Sequence, residues 1–250
     1  MIRCGIVIPV VKMQYLAKCV QSIDEHTDTK MLTSVIVNDG NQKIIHELDE
    51  LASRYGWLST LHLESNQAFA GANNAGWRYI ISKHPGIEYS GTLNSDTCCL
   101  SNWLDELVCA LDKNSQVAMV SPVQLNPRRF LGIFRRLSPH AVWRLGSAVE
   151  PMILQHKDVQ EDVITDVLGG FCLLGRTRVL QSLDFFHPEY RNSCEDVDLS
   201  MRVTKAGHQL MVVARSRIIH YESKSRYATG TSTNLELSHQ ILQRRWEDLR

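Results

Sequence analysis

Residues 89–100 read YSGTLNSDTCCL. The first five look like the end of a buried strand. Asn94, Ser95, Asp96 and Thr97 then follow in a row. One reading is a turn, because Asn, Ser and Asp bond their own backbone there. The other is a ligand site, because open α/β sheets bind ligands beyond the carboxyl ends of their strands. The segments on either side bear on the choice.

Upstream, strand and helix patterns alternate. CGIVIPV (4–10) and LTSVIVND (32–39) are continuous apolar runs of the kind buried on both sheet faces. WLSTLHL (57–63), IEYSGTLN (87–94) and QVAMVSP (116–122) read as further strands. Between them, residues 14–26, 43–56, 69–84 and 100–113 carry helical periodicity, with Leu16, Cys19, Val20 and Ile23 on one side of the first. Gly56 is the expected stop of the second helix. Strands joined by such helices pair in parallel through right-handed crossovers. Asp39 and Asp96 then emerge at the same sheet edge. No GxGxxG follows the first strand, and no GxxxxGK[ST] occurs anywhere.

The second half is less regular. VITDVLGGFCLLGR (163–176) reads as one or two strands around a Gly pair. CEDVDLSMRVTKAG (194–207) reads as a helix stopped by Gly207. QLMVVA and SRIIHYE are final strands. The tail offers Leu237, Ile241, Leu242 and Trp246 for packing. A third acidic cluster, Glu195, Asp196 and Asp198, opens the helix. Its plain reading is structural: Ser193 and Asp196 have capping-box spacing, and Asp198 lies four residues before Arg202.

Composition sets the bounds. The chain has 250 residues, 44% hydrophobic and 22% charged, with 27 basic and 27 acidic side chains. Balanced charge gives no field favouring nucleic acid. No apolar run reaches transmembrane length, and the N-terminus reads as a first strand rather than a signal peptide. Seven cysteines with no CxxC point to free thiols in a reducing, cytoplasmic setting.

The ordered set IVIPV, VNDGNQ, NQAFAGANNAGWRYI, TLNSDT, LGGFCLLGR, EDVDLSMRVTKAG and IIHYESKS resembles family 2 glycosyltransferases, the inverting group with the GT-A fold. Within that family it resembles bacterial surface-polysaccharide and rhamnosyltransferase-like members. The resemblance implies one GT-A domain over 1–250. Residues 1–121 would bind a nucleotide-sugar, 122–225 would serve acceptor and catalysis, and 226–250 would form a helical tail.

By the same resemblance, Asp39 contacts the base, with Pro9 and Val10 lining its pocket. Asn38 stands where the family usually has an acid, and Val11 and Lys12 replace a usual Tyr-Asn. Asn66, Gly71 and Asn74 match a run over the donor, with Asn73 an equal candidate for the last. Asn94, Ser95 and Asp96 match the DxD site. Asp96 would bind Mg2+ or Mn2+ with the diphosphate, and His220 either completes that site or simply ends a strand. Gly169 and Gly170 approach the donor sugar. Asp196 matches the catalytic base; Glu195 and Asp198 would orient either the acceptor or Arg202. The implied reaction moves a sugar from a UDP- or dTDP-sugar to a saccharide or lipid-linked hydroxyl.

From Lys113 to Val149 there is no Asp or Glu, while 128–145 interleaves arginines with Phe and Trp. That stretch either covers the sheet or contacts an anionic membrane surface from the cytoplasmic side. Two rival functions remain at this point. A nucleotidyltransferase would want a glycine-rich phosphate loop at the first strand. A non-catalytic sugar-nucleotide-binding protein would have no use for Asp196.

Overall fold

A computed structural model describes residues 1–125, 159–221 and 232–247, with only the backbone of 232–235 and of four three-residue strands between 128 and 153. The main sheet is built from β1 (Cys4–Val10), β2 (Leu32–Asn38), β3 (Leu58–His62), β4 (Tyr89–Leu93), β5 (Thr97–Cys99), β6 (Val117–Leu125), β11 (Val163–Thr165), β12 (Cys172–Arg176) and β13 (Gln209–His220). The strands β7 (Arg128–Phe130) and β8 (Ile133–Arg135) form one antiparallel pair, and β9 (Ala141–Trp143) and β10 (Pro151–Ile153) another. The side chains of 128–145 lie outside the described residues, so the basic stretch is not placed here.

The sheet order is β11-β13-β6-β12-β4-β1-β2-β3, with β5 paired to β13. β1, β2, β3 and β4 pair in parallel, as do β6 and β13. β12 runs antiparallel to both β4 and β6, so β6 and β13 share the direction of the first four. Six of the nine strands therefore run one way, and the sheet is mixed but mostly parallel.

Alternation along the strands explains the layers. Ile6, Ile8 and Val10 of β1 and Ile36 of β2 pack on one face with α1 (Leu16–His26), α2 (Ile45–Ala52) and α4 (Trp103–Lys113). Val7, Val35 and Val37 face the other way, against α3 (Ala68–Lys83), α5 (Thr177–Ser182) and α6 (Glu195–Lys205). Each fully buried aliphatic side chain stabilises the fold by about 1.5–3 kcal/mol. α3 lies close because Gly76 faces β1 and β2: a Cβ there would stand 2.6 Å from Val37 Cγ2. The C-terminal α7 (Ser232–Arg245) packs Ile241 and Leu242 on this second face. Leu237, expected to pack, is 50% exposed.

Three details depart from the sequence reading. α2 ends at Ala52, four residues before Gly56. β5 follows the Asn94–Asp96 turn directly. The two final strands are one, β13, whose register shifts between Val213 and Arg217. There the backbone leaves the ladder: Ala214 N donates to Asp162 Oδ1 (2.9 Å) and Ser216 Oγ donates to Trp103 O (2.7 Å).

Candidate active site

The parallel pairing puts the tips of β1, β2 and β4 at one edge. At the β2 tip, Asp39 is only 4% exposed, and its N–H donates to Val10 O (2.9 Å). Its Oδ1 accepts from Gln67 N (2.5 Å) and its Oδ2 from Asn66 Nδ2 (2.8 Å). Burial raises the Asp39 carboxyl above its ordinary range, partly offset by the backbone N–H groups of Gln67 and Ala68. Ala68, which opens α3, has φ +60°. Such strain in a non-glycine residue concentrates at functional sites. In the β1–β2 register Pro9 pairs with Val37 and Val10 with Asn38, just before Asp39.

The remaining residues of the donor-side run separate. Gly71 faces Gln67 across one turn of α3. Asn74 instead clamps a distant turn: its Nδ2 donates to Phe186 O (2.7 Å) and its Oδ1 accepts from Phe186 N (3.1 Å). Asn73 ties Phe69 O to the Thr92 hydroxyl. Both amides hold the scaffold. Arg191 and Asn192 carried no sequence signal, yet their oxygens accept from Ala70 N (3.2 Å) and Phe69 N (3.1 Å) at the start of α3.

Asn94, Ser95 and Asp96 form a tight turn between β4 and β5, closed by the Thr97 hydroxyl donating to Asn94 O (2.8 Å). The residues that favour a turn are thus the ones that place the carboxylate. Asp96 is 7% exposed, and His220 Nε2 lies 3.3 Å from Asp96 Oδ1 and 3.3 Å from Asn94 Nδ2. His220 stacks on Phe171 (5.3 Å between centroids). Tyr221 N donates to Asp96 O (2.9 Å), and the Tyr221 ring stacks on Tyr15, the N-cap residue of α1, with Lys18 Nζ 4.9 Å from the Tyr221 centroid.

The donor set suits a hard divalent cation shared with phosphate oxygens. It offers the Asp96 carboxylate, the His220 ring and Asn94 Oδ1. Among the described residues, that amide oxygen and His220 Nδ1 are both buried with no hydrogen-bond partner. A buried amide oxygen without a donor is costly unless something supplies one.

The third element reaches the same edge through β12. Asn94 N donates to Phe171 O (2.8 Å), and the neighbouring Gly170 N donates to Asp196 Oδ2 (2.7 Å). Val197 N donates to Asp196 Oδ1 (2.9 Å). Asp196 therefore faces the β12 entrance. The Ser193 capping box does not form: α6 starts after Cys194, at φ +66°, with no side-chain cap. Glu195 is 3% exposed beside it.

Asp198 and Arg202 point into the protein. Asp198 Oδ2 accepts from Arg202 Nε (2.7 Å). Its Oδ1 accepts from Arg245 Nε (3.0 Å), Trp246 Nε1 (3.0 Å) and the Tyr190 hydroxyl (3.4 Å). Burial pushes the Asp198 carboxyl up, but Arg202 and the donated hydrogen bonds outweigh it and hold the pKa below the ordinary range. This cluster docks the tail on α6.

The fold is GT-A. Among solved structures, the chain is similar to GalNAc-T7 crystallised with UDP, GalNAc and Mn2+, at TM-score 0.68 and 17% identity over 88% of this chain and 44% of that one. It is also similar to S. aureus TarS 1–349 in complex with UDP-GlcNAc, at TM-score 0.66 and 15% identity over 89% and 59%. A sequence model of glycosyl transferase family 2 matches residues 5–183, and the chain belongs to that family. The O-antigen biosynthesis protein RfbC of Myxococcus xanthus is 27% identical over 133 residues, 51% of this chain and 10% of that protein. The chain thus spans about a tenth of that relative's length. Among the described residues, no helix is long and apolar enough to cross a membrane.

Proposed function

We propose that this chain is a divalent-metal-dependent, inverting glycosyltransferase that takes its sugar from a UDP- or dTDP-sugar. The observation that carries the reading is the convergence of Asp39, the Asn94–Asp96 turn with His220, and Asp196 on one sheet edge. The turn and Asp196 are joined through the hydrogen bonds of Asn94 N to Phe171 O and of Gly170 N to Asp196, and Asp39 shares their edge through the parallel pairing of β4, β1 and β2. Residues 1–121 supply the nucleotide end and 122–225 the acceptor end of one unit spanning 1–250, with 226–250 as its tail.

Asp39, held by Asn66 and Gln67, keeps lone pairs for the imide N–H of uracil or thymine. Asn94, Asp96 and His220 hold Mg2+ or Mn2+ against the donor diphosphate. The cation, when bound, offsets charge growing on the leaving diphosphate. Asp196 takes the proton from the acceptor hydroxyl as that oxygen attacks the anomeric carbon from the face opposite the diphosphate. Two backbone N–H groups orient its carboxylate for this step. One displacement inverts the anomeric centre.

The likeness to RfbC supports a bacterial surface polysaccharide or its lipid-linked precursor as acceptor. The seven free thiols support a cytoplasmic setting. The test is transfer from UDP- and dTDP-sugars with Mn2+ or Mg2+. Wild type turns over, Asp196→Asn binds nucleotide without turnover, and the product has the opposite anomeric configuration to the donor. Retained configuration would end the single-displacement reading.

A further inference from the structure

Behind Asp39 lies a hydrogen-bonded chain that the catalytic reading does not use. Asn38 and His62 are direct neighbours in the parallel β2–β3 register. Asn38 is fully buried, its Oδ1 accepting from Asn41 N (3.0 Å) and its Nδ2 donating to Asn41 O (2.9 Å). The second Nδ2 proton points at His62 Nδ1, 3.3 Å away. His62 Nε2 lies 2.9 Å from Asp49 Oδ1, which also accepts the Thr60 hydroxyl (2.6 Å). At the other end, Asn41 Nδ2 donates to Val11 O (2.8 Å).

The polarity of this chain is fixed by its ends. An amide nitrogen only donates, so His62 Nδ1 accepts. The ring proton is then on Nε2 and is given to Asp49, which only accepts. Hydrogen bonds from Thr60 and His62 hold the Asp49 carboxyl below its ordinary range. We propose that Asn38 and His62 are positioning residues for the nucleotide end. The Asp49–His62–Asn38–Asn41–Val11 chain fixes the turn that carries Asp39, and Asn38 is an amide because its partner is a neutral histidine. An aspartate at 38 would set acceptor against acceptor at both Asn41 O and His62 Nδ1. Protonating His62 would relieve the second clash and leave the first. The charged group facing His62 is Asp49 from α2, with His46 nearby on that helix. This inference rests on the nucleotide reading of Asp39.

The experiment has two arms. Nitrogen-15 NMR of the histidine rings reads the His62 tautomer and titration without any nucleotide. Wild type should show Nε2–H with Nδ1 unprotonated at pH 7.5, and Asn38→Asp should move the ring toward the form protonated on both nitrogens at the same pH. The second arm is calorimetric binding of UDP and dTDP. Asn38→Asp should bind at least roughly threefold more weakly at pH 7.5, the size of part of one hydrogen bond, and recover in part at lower pH. Adding His62→Gln should abolish the recovery. An Nδ1–H tautomer in wild type, an unmoved His62 titration in Asn38→Asp, or weakening without pH-linked recovery overturns the inference. If neither nucleotide binds wild type, the nucleotide reading falls, and the NMR arm alone decides the hydrogen-bonded chain.

Discussion

Asp196 and Asp198 are two residues apart on one helix, and neutralising each should give opposite phenotypes. In Asp198→Asn, one amide oxygen must replace a carboxylate that accepts from Arg202, Arg245, Trp246 and Tyr190. The amide NH2 must then face a guanidinium. Breaking a buried pair costs about 3–5 kcal/mol. The side chains of Arg202 and Arg245 are 14% and 24% exposed, so water recovers part of that. About 3 kcal/mol remains, and at roughly 2–4 °C per kcal/mol for a chain of this size Tm should fall by about 6–12 °C. Asp196→Asn loses at most one of two backbone-donated bonds, about 1 kcal/mol, so Tm should move little. Its turnover should fall by about 10²–10⁴-fold, the usual contribution of a general base. Thermal denaturation and initial rates of donor consumption on both variants decide the matter. If Asp198→Asn keeps the wild-type Tm but loses turnover, Asp198 touches substrate and the docking argument is wrong. If Asp196→Asn keeps turnover, Asp196 is not the base.

Gly170→Ala would place a Cβ 3.2 Å from Asp196 Oδ2, tight enough to push the carboxylate by a few tenths of an ångström. A displacement of about 1 Å can cost 10²-fold, so kcat should fall roughly tenfold with nucleotide affinity retained, as calorimetry and initial rates would show. Because the folded Asp198 pKa lies below its unfolded value, its contribution is present above the ordinary carboxylate range and lost as pH falls through the folded pKa. Acid unfolding curves should therefore be flatter for Asp198→Asn than for wild type; equal slopes would contradict this. Deleting residues 232–250 removes Arg245 and Trp246 from Asp198 and should lower Tm and kcat together, with UDP or dTDP binding at the β2 tip retained.

Much of this was legible from local pattern. Strand patterns marked β1, β2 and β4, and parallel pairing then required Asp39 and Asp96 to share an edge. The hydrogen bond from Gly170 N to Asp196 was not legible there, since the two motifs read separately. What sequence could not show depends on contacts distant along the chain. Asn74 sits on the right helix, yet its amide is taken by Phe186, 112 residues away. Asp198 and Arg202 look like a surface helix pair until Arg245 and Trp246 cover them. Residues 97–99 are too short to signal a strand and become one only because β13 supplies the partner. The β13 bulge is held by Asp162, which has no local mark at all.

The central claim is that the Asn94–Asp96 turn holds a metal and a nucleoside diphosphate together. It is tested most directly by thermal shifts with UDP, dTDP, GDP and CDP, each with and without Mn2+, on wild type and Asp96→Ala. A ligand at about a hundred times its Kd adds about 2.7 kcal/mol to the native state. UDP or dTDP should stabilise wild type only when Mn2+ is present, and Asp96→Ala, measured against its own ligand-free Tm, should show no such shift. A nucleotide shift that ignores Mn2+, or one that survives Asp96→Ala unchanged, would contradict the account.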